Sequence, residues 1–341
     1  MNYDSSHIFT GGVGLRFLFV VLLAAVLGLG GAGYSWLNRP LDLSAPTVDL
    51  SIEPGSSARE VAMDVADAGV AVDTTLLYWW FRLSGKSRQI KAGSYELTGV
   101  VTPQTLLRKL VNGEEALRSV TLVEGWTFRQ VREALKKADQ LKPLTQDLSP
   151  EAIMAQLGKP GQHPEGRFFP DTYTYAKGSS DLAVLQRAQR AMEKRLAAAW
   201  ALRDPASPLQ SADDALVLAS IVEKETGRAS DRPMVASVFN NRLRIGMRLQ
   251  TDPTVIYGLG ESFDGNLRKN DLLTDTPWNT YTRTGLPPTP IAMPGKASLI
   301  AAVQPAQSKA LYFVARGDGT SQFSASLDEH NRAVNKYQRG Q

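Results

Sequence analysis

The sequence predicts an α+β protein with one N-terminal transmembrane helix followed by two folded units, and three observations carry that reading. An uncharged run of 22 residues stands at Phe17–Asn38. A pattern of strand, turn, capping box and helix occurs twice after it. Apolar helical spacing then dominates the second half. A length of 341 residues suits two domains at roughly 100–200 residues each. With 43% hydrophobic and 21% charged residues the chain is globular in composition, which excludes disorder as its main character. Thirty-eight basic against 34 acidic residues is too mild an excess for a nucleic-acid surface. The absence of cysteine excludes disulfides, zinc thiolates, iron–sulfur clusters and thiol nucleophiles. His7, His163 and His330 lie too far apart for a helical metal pair, so neither a metal nor a cofactor is expected.

The uncharged run, FLFVVLLAAVLGLGGAGYSWLN, matches the roughly 20 residues that cross a bilayer. A cleaved signal peptide is the competing reading, because Gly28 to Gly33 is rich in small residues. The run exceeds the usual 7–15-residue apolar region of a signal and ends in the interfacial aromatics Tyr34 and Trp36, which favours an uncleaved anchor at 17–38. Arg16 and Arg39 flank it almost symmetrically, so orientation rests on the short tail at 1–16, expected in the cytoplasm, with the remainder facing outward. Two nucleotide-like patterns fail. Gly28, Gly30 and Gly33 sit inside the apolar run with no strand before them, and Gly85-Lys86-Ser87 has Trp80 where a P-loop needs glycine.

Beyond the anchor, Thr47–Ile52 alternates as a strand, and Glu53-Pro54-Gly55 turns the chain into the capping box Ser57-Ala58-Arg59-Glu60. That box opens a helix with Val61, Val65 and Ala68 on one face, stopped by Gly69. Leu76, Leu77, Trp80 and Phe81 mark a second helix, Ser94–Leu97 a strand, and Thr102-Pro103 the start of a third helix that Gly113 ends. The pattern recurs as strand Ser119–Val123, turn Glu124-Gly125-Trp126 and the box at Thr127–Gln130, with Val131 and Leu135 on the helix behind it. Residues 140–166 read as a linker or flap with a short helix near Pro150–Leu157. Leu185, Ala188, Met192, Leu196 and Trp200 then give a helix over Asp181–Leu202 that lies on a core.

The segment Ser211–Gly227 carries the candidate chemistry. Ser211 and Asp214 form a capping box, Gly227 suits a left-handed stop, and the helix between is apolar nearly all round, hence central. At about 100° per residue Glu223 shares a face with Leu216, Ala219 and Ser220, whereas Glu225 points nearly the opposite way, so the two carboxylates cannot form one dyad. Burial and the negative end of a helix both push such a carboxyl toward the acid form, as a general acid requires. Glu223 is the better candidate, because Ala219 and Ser220 leave room for a substrate. The plainer alternative is a helix emerging into solvent. Asn241-Arg242-Leu243, on a helix between Pro233 and Gly246, precedes Gln250-Thr251-Asp252-Pro253, Tyr257 and Trp278-Asn279-Thr280-Tyr281. Amides and aromatic faces of this kind suit sugar hydroxyls and N-acetyl groups, although turn chemistry explains Asp252-Pro253 and Asn279-Thr280 about as well. The proline-dense run Gly285–Gly295 reads as a rigid groove wall or a polyproline ligand.

The order Leu218-Ala219-Ser220-Ile221-Val222-Glu223-Lys224-Glu225-Thr226, Asn241-Arg242-Leu243 and Leu249-Gln250-Thr251-Asp252-Pro253-Thr254-Val255-Ile256-Tyr257-Gly258 resembles the YceG-like family of endolytic murein transglycosylases. Glu165-Gly166-Arg167-Phe168-Phe169-Pro170-Asp171-Thr172-Tyr173 upstream and Asn279-Thr280-Tyr281, Gly285-Leu286-Pro287-Pro288 and Pro294-Gly295 downstream extend the likeness over nearly all of the chain after the anchor. The resemblance implies a single-pass inner-membrane protein with a LysM-like module at 48–115 and a catalytic region at 118–339 in the periplasm. It further implies endolytic cleavage of peptidoglycan strands between MurNAc and GlcNAc by Glu223, leaving 1,6-anhydro ends and terminating strand elongation. Ser220, Asn241, Gln250, Asp252, Tyr257, Asn279 and Tyr281 are the substrate contacts expected, and cell-wall synthases or divisome proteins the protein partners. Two positions depart from the family: Ser321 stands where a histidine is expected, although Glu329-His330-Asn331 is kept, and Trp278 replaces a common tyrosine. A hydrolytic muramidase using Asp252, Asp171 or Glu225 as a second carboxylate, and a noncatalytic anchored scaffold, are the alternatives.

Overall fold

The computed structural model describes residues 11–340, with side chains from 18 onward. The tail expected at 1–16 lies outside the described residues as far as Thr10. From Gly11 the chain is already helical, so helix α1 (Gly11–Asn38) begins ahead of the uncharged run. Its Leu18–Asn38 portion is long and apolar enough to cross a membrane, and its side chains from 18 to 35 are exposed.

The chain divides into two compact units, 1–117 and 118–341. In the first, β1 (Asp42–Leu43) pairs with β3 (Val70–Ala71), and β2 (Thr47–Ile52) pairs antiparallel with β4 (Gly93–Thr98), Thr47 opposite Thr98 and Ile52 opposite Gly93. Helices α2 (Ala58–Asp67) and α3 (Thr74–Leu83) lie between those strands in sequence, and α4 (Pro103–Asn112) follows them. The box read from sequence, Ser57 with Glu60, is present, and Thr102, read as the start of a helix, forms another with Thr105; each satisfies backbone donors that the first helical turn leaves free. Gly113 takes the left-handed conformation that ends α4. Strict alternation in β2 sends Val48, Leu50 and Ile52 into a core with Val61, Leu77, Phe81, Tyr95 and Leu106. Each such aliphatic side chain contributes about 1.5–3 kcal/mol by leaving water.

The second unit contains β5 (Leu117–Thr121), α5 (Phe128–Lys137), α6 (Pro150–Gln156), β6 (Thr172–Ala176), α7 (Asp181–Ala201), α8 (Ala212–Glu225), α9 (Arg232–Arg244), α10 (Asp252–Leu259), α11 (Lys269–Leu273), α12 (Lys296–Val303), β7 (Tyr312–Ala315), β8 (Ser321–Ser324) and α13 (Leu327–Gln338). Here β5 pairs with β6, and β7 pairs antiparallel with β8. The run read as a linker or flap holds α6 and joins the core through Leu141, Ile153, Met154 and Leu157. Helix α8 is central, as its uniform apolarity predicts: the eight residues Ala215–Val222 are all buried, against α7, α9 and α12. The expected left-handed stop at Gly227 does not occur. The helix ends because Thr226 turns extended (φ −145°) while its N–H still bonds Val222 O. The first half of α7 closes a second core with α5, α6, Val120, Tyr173 and Tyr175.

Candidate active site

Because α8 is locked in the core on every side, its last turn delivers Glu223 to a fixed place. The Glu223 side chain is only 7% exposed. Its Oε2 accepts the Gly295 N–H at 2.9 Å, and its Oε1 lies 3.7 Å from Nη2 of Arg232. Gly295 caps α12, so that helix's N-terminus meets the carboxyl, and Arg232, which opens α9 one residue ahead of Pro233, reaches it through its guanidinium. Arg232 is itself 11% exposed, and its Nε is buried without a hydrogen-bond partner.

The turn Glu124-Gly125-Trp126 completes the arrangement. Gly125 N–H bonds Met293 O at 2.9 Å, Met293 N–H bonds Trp126 O at 2.7 Å, and Lys224 Nζ donates to Gly125 O at 3.3 Å. Glu124 is an exposed residue whose carboxyl end tucks against Gly295, where a Cβ on the glycine would overlap it. Burial, then the Glu223 charge, hold the Glu124 carboxyl above the usual range, while Arg232 pulls the other way.

Glu225 faces another set of groups, as the helical spacing requires. Its carboxyl accepts the Thr251 hydroxyl, and burial pushes it up. Beyond it the Tyr281 hydroxyl donates to Asp252 Oδ1 at 2.5 Å, and Gln250, left-handed at φ 47°, donates its N–H to Thr280 O.

A groove of about 530 Å³ runs beside this site, with Glu165, Lys224, Pro253, Tyr257, Trp278 and Ile291 in its walls. Lys224, the residue after Glu223, is among its lining residues, and Glu223 is not. The Tyr257 and Trp278 rings meet edge to face at 5.6 Å, and Trp278 Nε1 donates to Thr289 at 3.0 Å. Tyr257 donates to Glu165 Oε2 at 3.2 Å, and the Phe128 N–H bonds Glu165 Oε1 at 2.9 Å.

The expected contact residues separate into two groups. Tyr257 lines the groove; Gln250, Asp252 and Tyr281 lie together at the start of α10. Ser220, Asn241 and Asn279 lie apart from the groove lining, and their polar atoms bond groups of the protein itself. Ser220 is fully buried, donating to Val217 O at 2.7 Å and accepting the Ile291 N–H at 2.9 Å, which straps the proline-dense wall to α8. The Asn241 amide donates to Ser308 O and Ala310 O, both at 2.9 Å. Asn279 ties together the carbonyls of Asp271, Leu272 and Thr274. Sequence reading missed Glu124, Arg232, Gly295 and Glu165 as site residues. Glu165 and Gly295 stood in motifs that extend the likeness, with no role given to them, and Glu124 was legible only as part of a turn. At the departing position, the Ser321 N–H donates to Asp231 Oδ2 at 2.8 Å, beside the start of α9, while His330 stacks on Tyr312 at 5.2 Å.

Glu165 has a measurable consequence. It is 3% exposed, and burial raises its carboxyl to about 7 against the opposing Phe128 and Tyr257 hydrogen bonds. The folded state therefore holds this proton more tightly than the unfolded chain, where the value is 4.5. Stability from this group is fully present below about 4.5 and is lost as pH rises through about 7, by about 3 kcal/mol. Glu165→Gln, which keeps an acceptor for Phe128 N–H, should narrow the difference in melting temperature between pH 5 and pH 8. An unchanged difference in thermal melts would show that Glu165 is not the source.

Comparison with known proteins places this geometry in context. The family model described as the YceG-like family matches residues 50–336. A protein of Bacillus subtilis (strain 168) named endolytic murein transglycosylase is 32% identical over 331 residues, covering 91% of each chain. A protein of the same name from Streptococcus pneumoniae serotype 2 is 26% identical over 355 residues, covering 93% of this chain and 64% of its own. The crystal structure of a YceG-like protein from Listeria monocytogenes aligns with a TM-score of 0.53 at 30% identity, over 84% of this chain and 98% of that one.

Proposed function

The chain belongs to the YceG-like family, and on that premise we propose that it is a membrane-anchored endolytic lytic transglycosylase that cuts nascent peptidoglycan strands between MurNAc and GlcNAc. The observation that carries this reading is Glu223, a largely buried carboxyl next in sequence to the Lys224 that lines an aromatic-walled groove, held by a backbone N–H and a guanidinium, with Glu225 turned away. In the reaction Glu223 gives its proton to the glycosidic oxygen as the bond to MurNAc C1 breaks. The GlcNAc side departs as an alcohol. The MurNAc 6-hydroxyl attacks C1, its proton returns to Glu223, and a 1,6-anhydro ring closes without water. The substrate's N-acetyl group assists by stabilising the oxocarbenium-like state. Tyr257 and Trp278 offer ring faces to the sugars.

Helix α1 supports a single-pass inner-membrane anchor with both folded units in the periplasm. The order β2, α2, α3, β4, with the two-residue β3 between the helices and with β2 and β4 antiparallel, supports a LysM-like module at 48–115, and the catalytic region is 118–339. Release of anhydro ends by an anchored enzyme would terminate strand elongation beside the synthases that extend the strands.

One observation favours a second reading. Hydrolytic muramidases use two carboxyl groups, and Glu124, not Asp252, Asp171 or Glu225, is the acid that shares Glu223's site. Digesting glycan strands with the full-length protein in detergent micelles and weighing the products separates them. Anhydro ends, lighter by one water, are expected. Reducing ends would establish the muramidase, and absence of cleavage would leave only a binding role.

A further inference from the structure

Helix α3 carries more apolar surface than its own unit covers. Seven of its ten residues are apolar or aromatic, yet only Leu77 and Phe81 are buried. At about 100° per residue Leu76, Trp79 and Leu83 share the adjoining face, and Trp80 stands half-buried between that face and the core. Leu76 and Trp79 are each 52% exposed and Leu83 is 80% exposed. An apolar stripe of this kind on a small folded unit marks a surface that something covers.

The path of the chain indicates what covers it. Helix α1 joins this unit without a flexible tether. Trp36, in its last turn, packs against the core, and three residues after the helix ends the Leu41 N–H bonds Val101 O at 2.8 Å. Helix α3 touches the same junction at two points. It follows β3, whose Ala71 pairs with Asp42 directly after Leu41, and Trp80 Nε1 donates at 3.3 Å to the carbonyl of Pro103, two residues beyond Val101. Val100, at the junction itself, is 75% exposed. The turn Glu53–Ser56 lies at the other end of the β2–β4 pair, because Ile52 faces Gly93 there while Thr98 stands at the end near Val101.

We infer that α3 rests on the bilayer that α1 crosses, with Leu76, Trp79 and Leu83 in the layer between headgroups and acyl chains. This rests on α1 being a membrane anchor. Tryptophan suits that layer because its ring is apolar and its N–H is not, and leucine adds buried apolar area. Arg82 on the next face, and Lys86 and Arg88 just past the helix, are exposed cations placed for lipid phosphates. The span keeps the bilayer at a high effective concentration beside the stripe, so a patch too small to recruit a membrane on its own is held against one. The face is thereby a membrane contact and not a glycan-binding one.

The test uses the full-length protein in nanodiscs of phosphatidylethanolamine and phosphatidylglycerol. The chain has no cysteine, so Leu83→Cys and, as a second position, Leu76→Cys each put a single environment-sensitive fluorophore on the stripe. Both side chains are exposed, and the fold does not depend on them. Both labels should shift their emission to the blue and lose intensity to doxyl-labelled phospholipids, as a label at Leu27→Cys within α1 does, while one at Ser56→Cys should do neither. Unquenched labels at Leu83→Cys and Leu76→Cys beside a quenched one at Leu27→Cys overturn the inference and leave the anchor intact. Protection that appears only when peptidoglycan strands are added, or only in discs holding two copies, gives the face to glycan or to a second copy and overturns it equally. An unquenched label at Leu27→Cys overturns the anchor reading itself.

Discussion

Glu223→Gln is expected to retain less than about one thousandth of the wild-type cleavage rate. General acid catalysis contributes roughly 10²–10⁴-fold, and here one group serves twice, as acid for the leaving oxygen and as base for the 6-hydroxyl. The amide oxygen can still accept the Gly295 N–H, so the fold should survive the change, with a melting temperature within a few degrees of wild type. Stability and activity thus separate, which identifies a chemical role and not a packing one. Retention of more than about a tenth of wild-type kcat would remove Glu223 from the reaction.

Gly295→Ala is expected to lower kcat/KM by about ten- to a hundredfold with little loss of stability. A Cβ at this position overlaps the Glu124 carboxyl, the far end of a flexible side chain, which can swing away at small cost. The backbone of Gly295 is extended (φ −77°), so alanine brings no conformational strain there. What the variant loses is placement: the Glu124 carboxyl is displaced from its seat against residue 295, beside the N–H that holds Glu223. A misplacement on this scale is expensive in rate even when the fold is unchanged. A fall in melting temperature large enough to explain the lost rate would mark Gly295 as a structural residue instead.

Much of the local structure is legible in residue order because its causes are local. Ser57 with Glu60, Thr127 with Gln130 and Ser211 with Asp214 each satisfy donors within three residues, and each box opens a helix where it is read. The alternation of Thr47–Ile52 and the unbroken apolarity of Ala215–Val222 report burial directly, since side-chain direction follows the period of the element. Gly227 failed as a signal because an extended Thr226 ends the helix equally well. The partners of Ser220, Asn241 and Asn279 were not legible for a different reason. A buried amide or hydroxyl that holds a carbonyl has the same composition as one that holds a sugar, and only its partners tell them apart.

Residue order alone established an apolar segment long enough for a membrane, the succession of helices and strands, and Glu223 as the acid to examine, since each depends on spacing along one element. The company Glu223 keeps was decided only by the packed fold. Glu124, Arg232 and Gly295 come from a turn and two helix starts far apart in the chain, and nothing local to any of them indicates the others. Charge coupling acts through space, falling with distance and rising as water is excluded, so a carboxyl's readiness to give up a proton belongs to the tertiary structure.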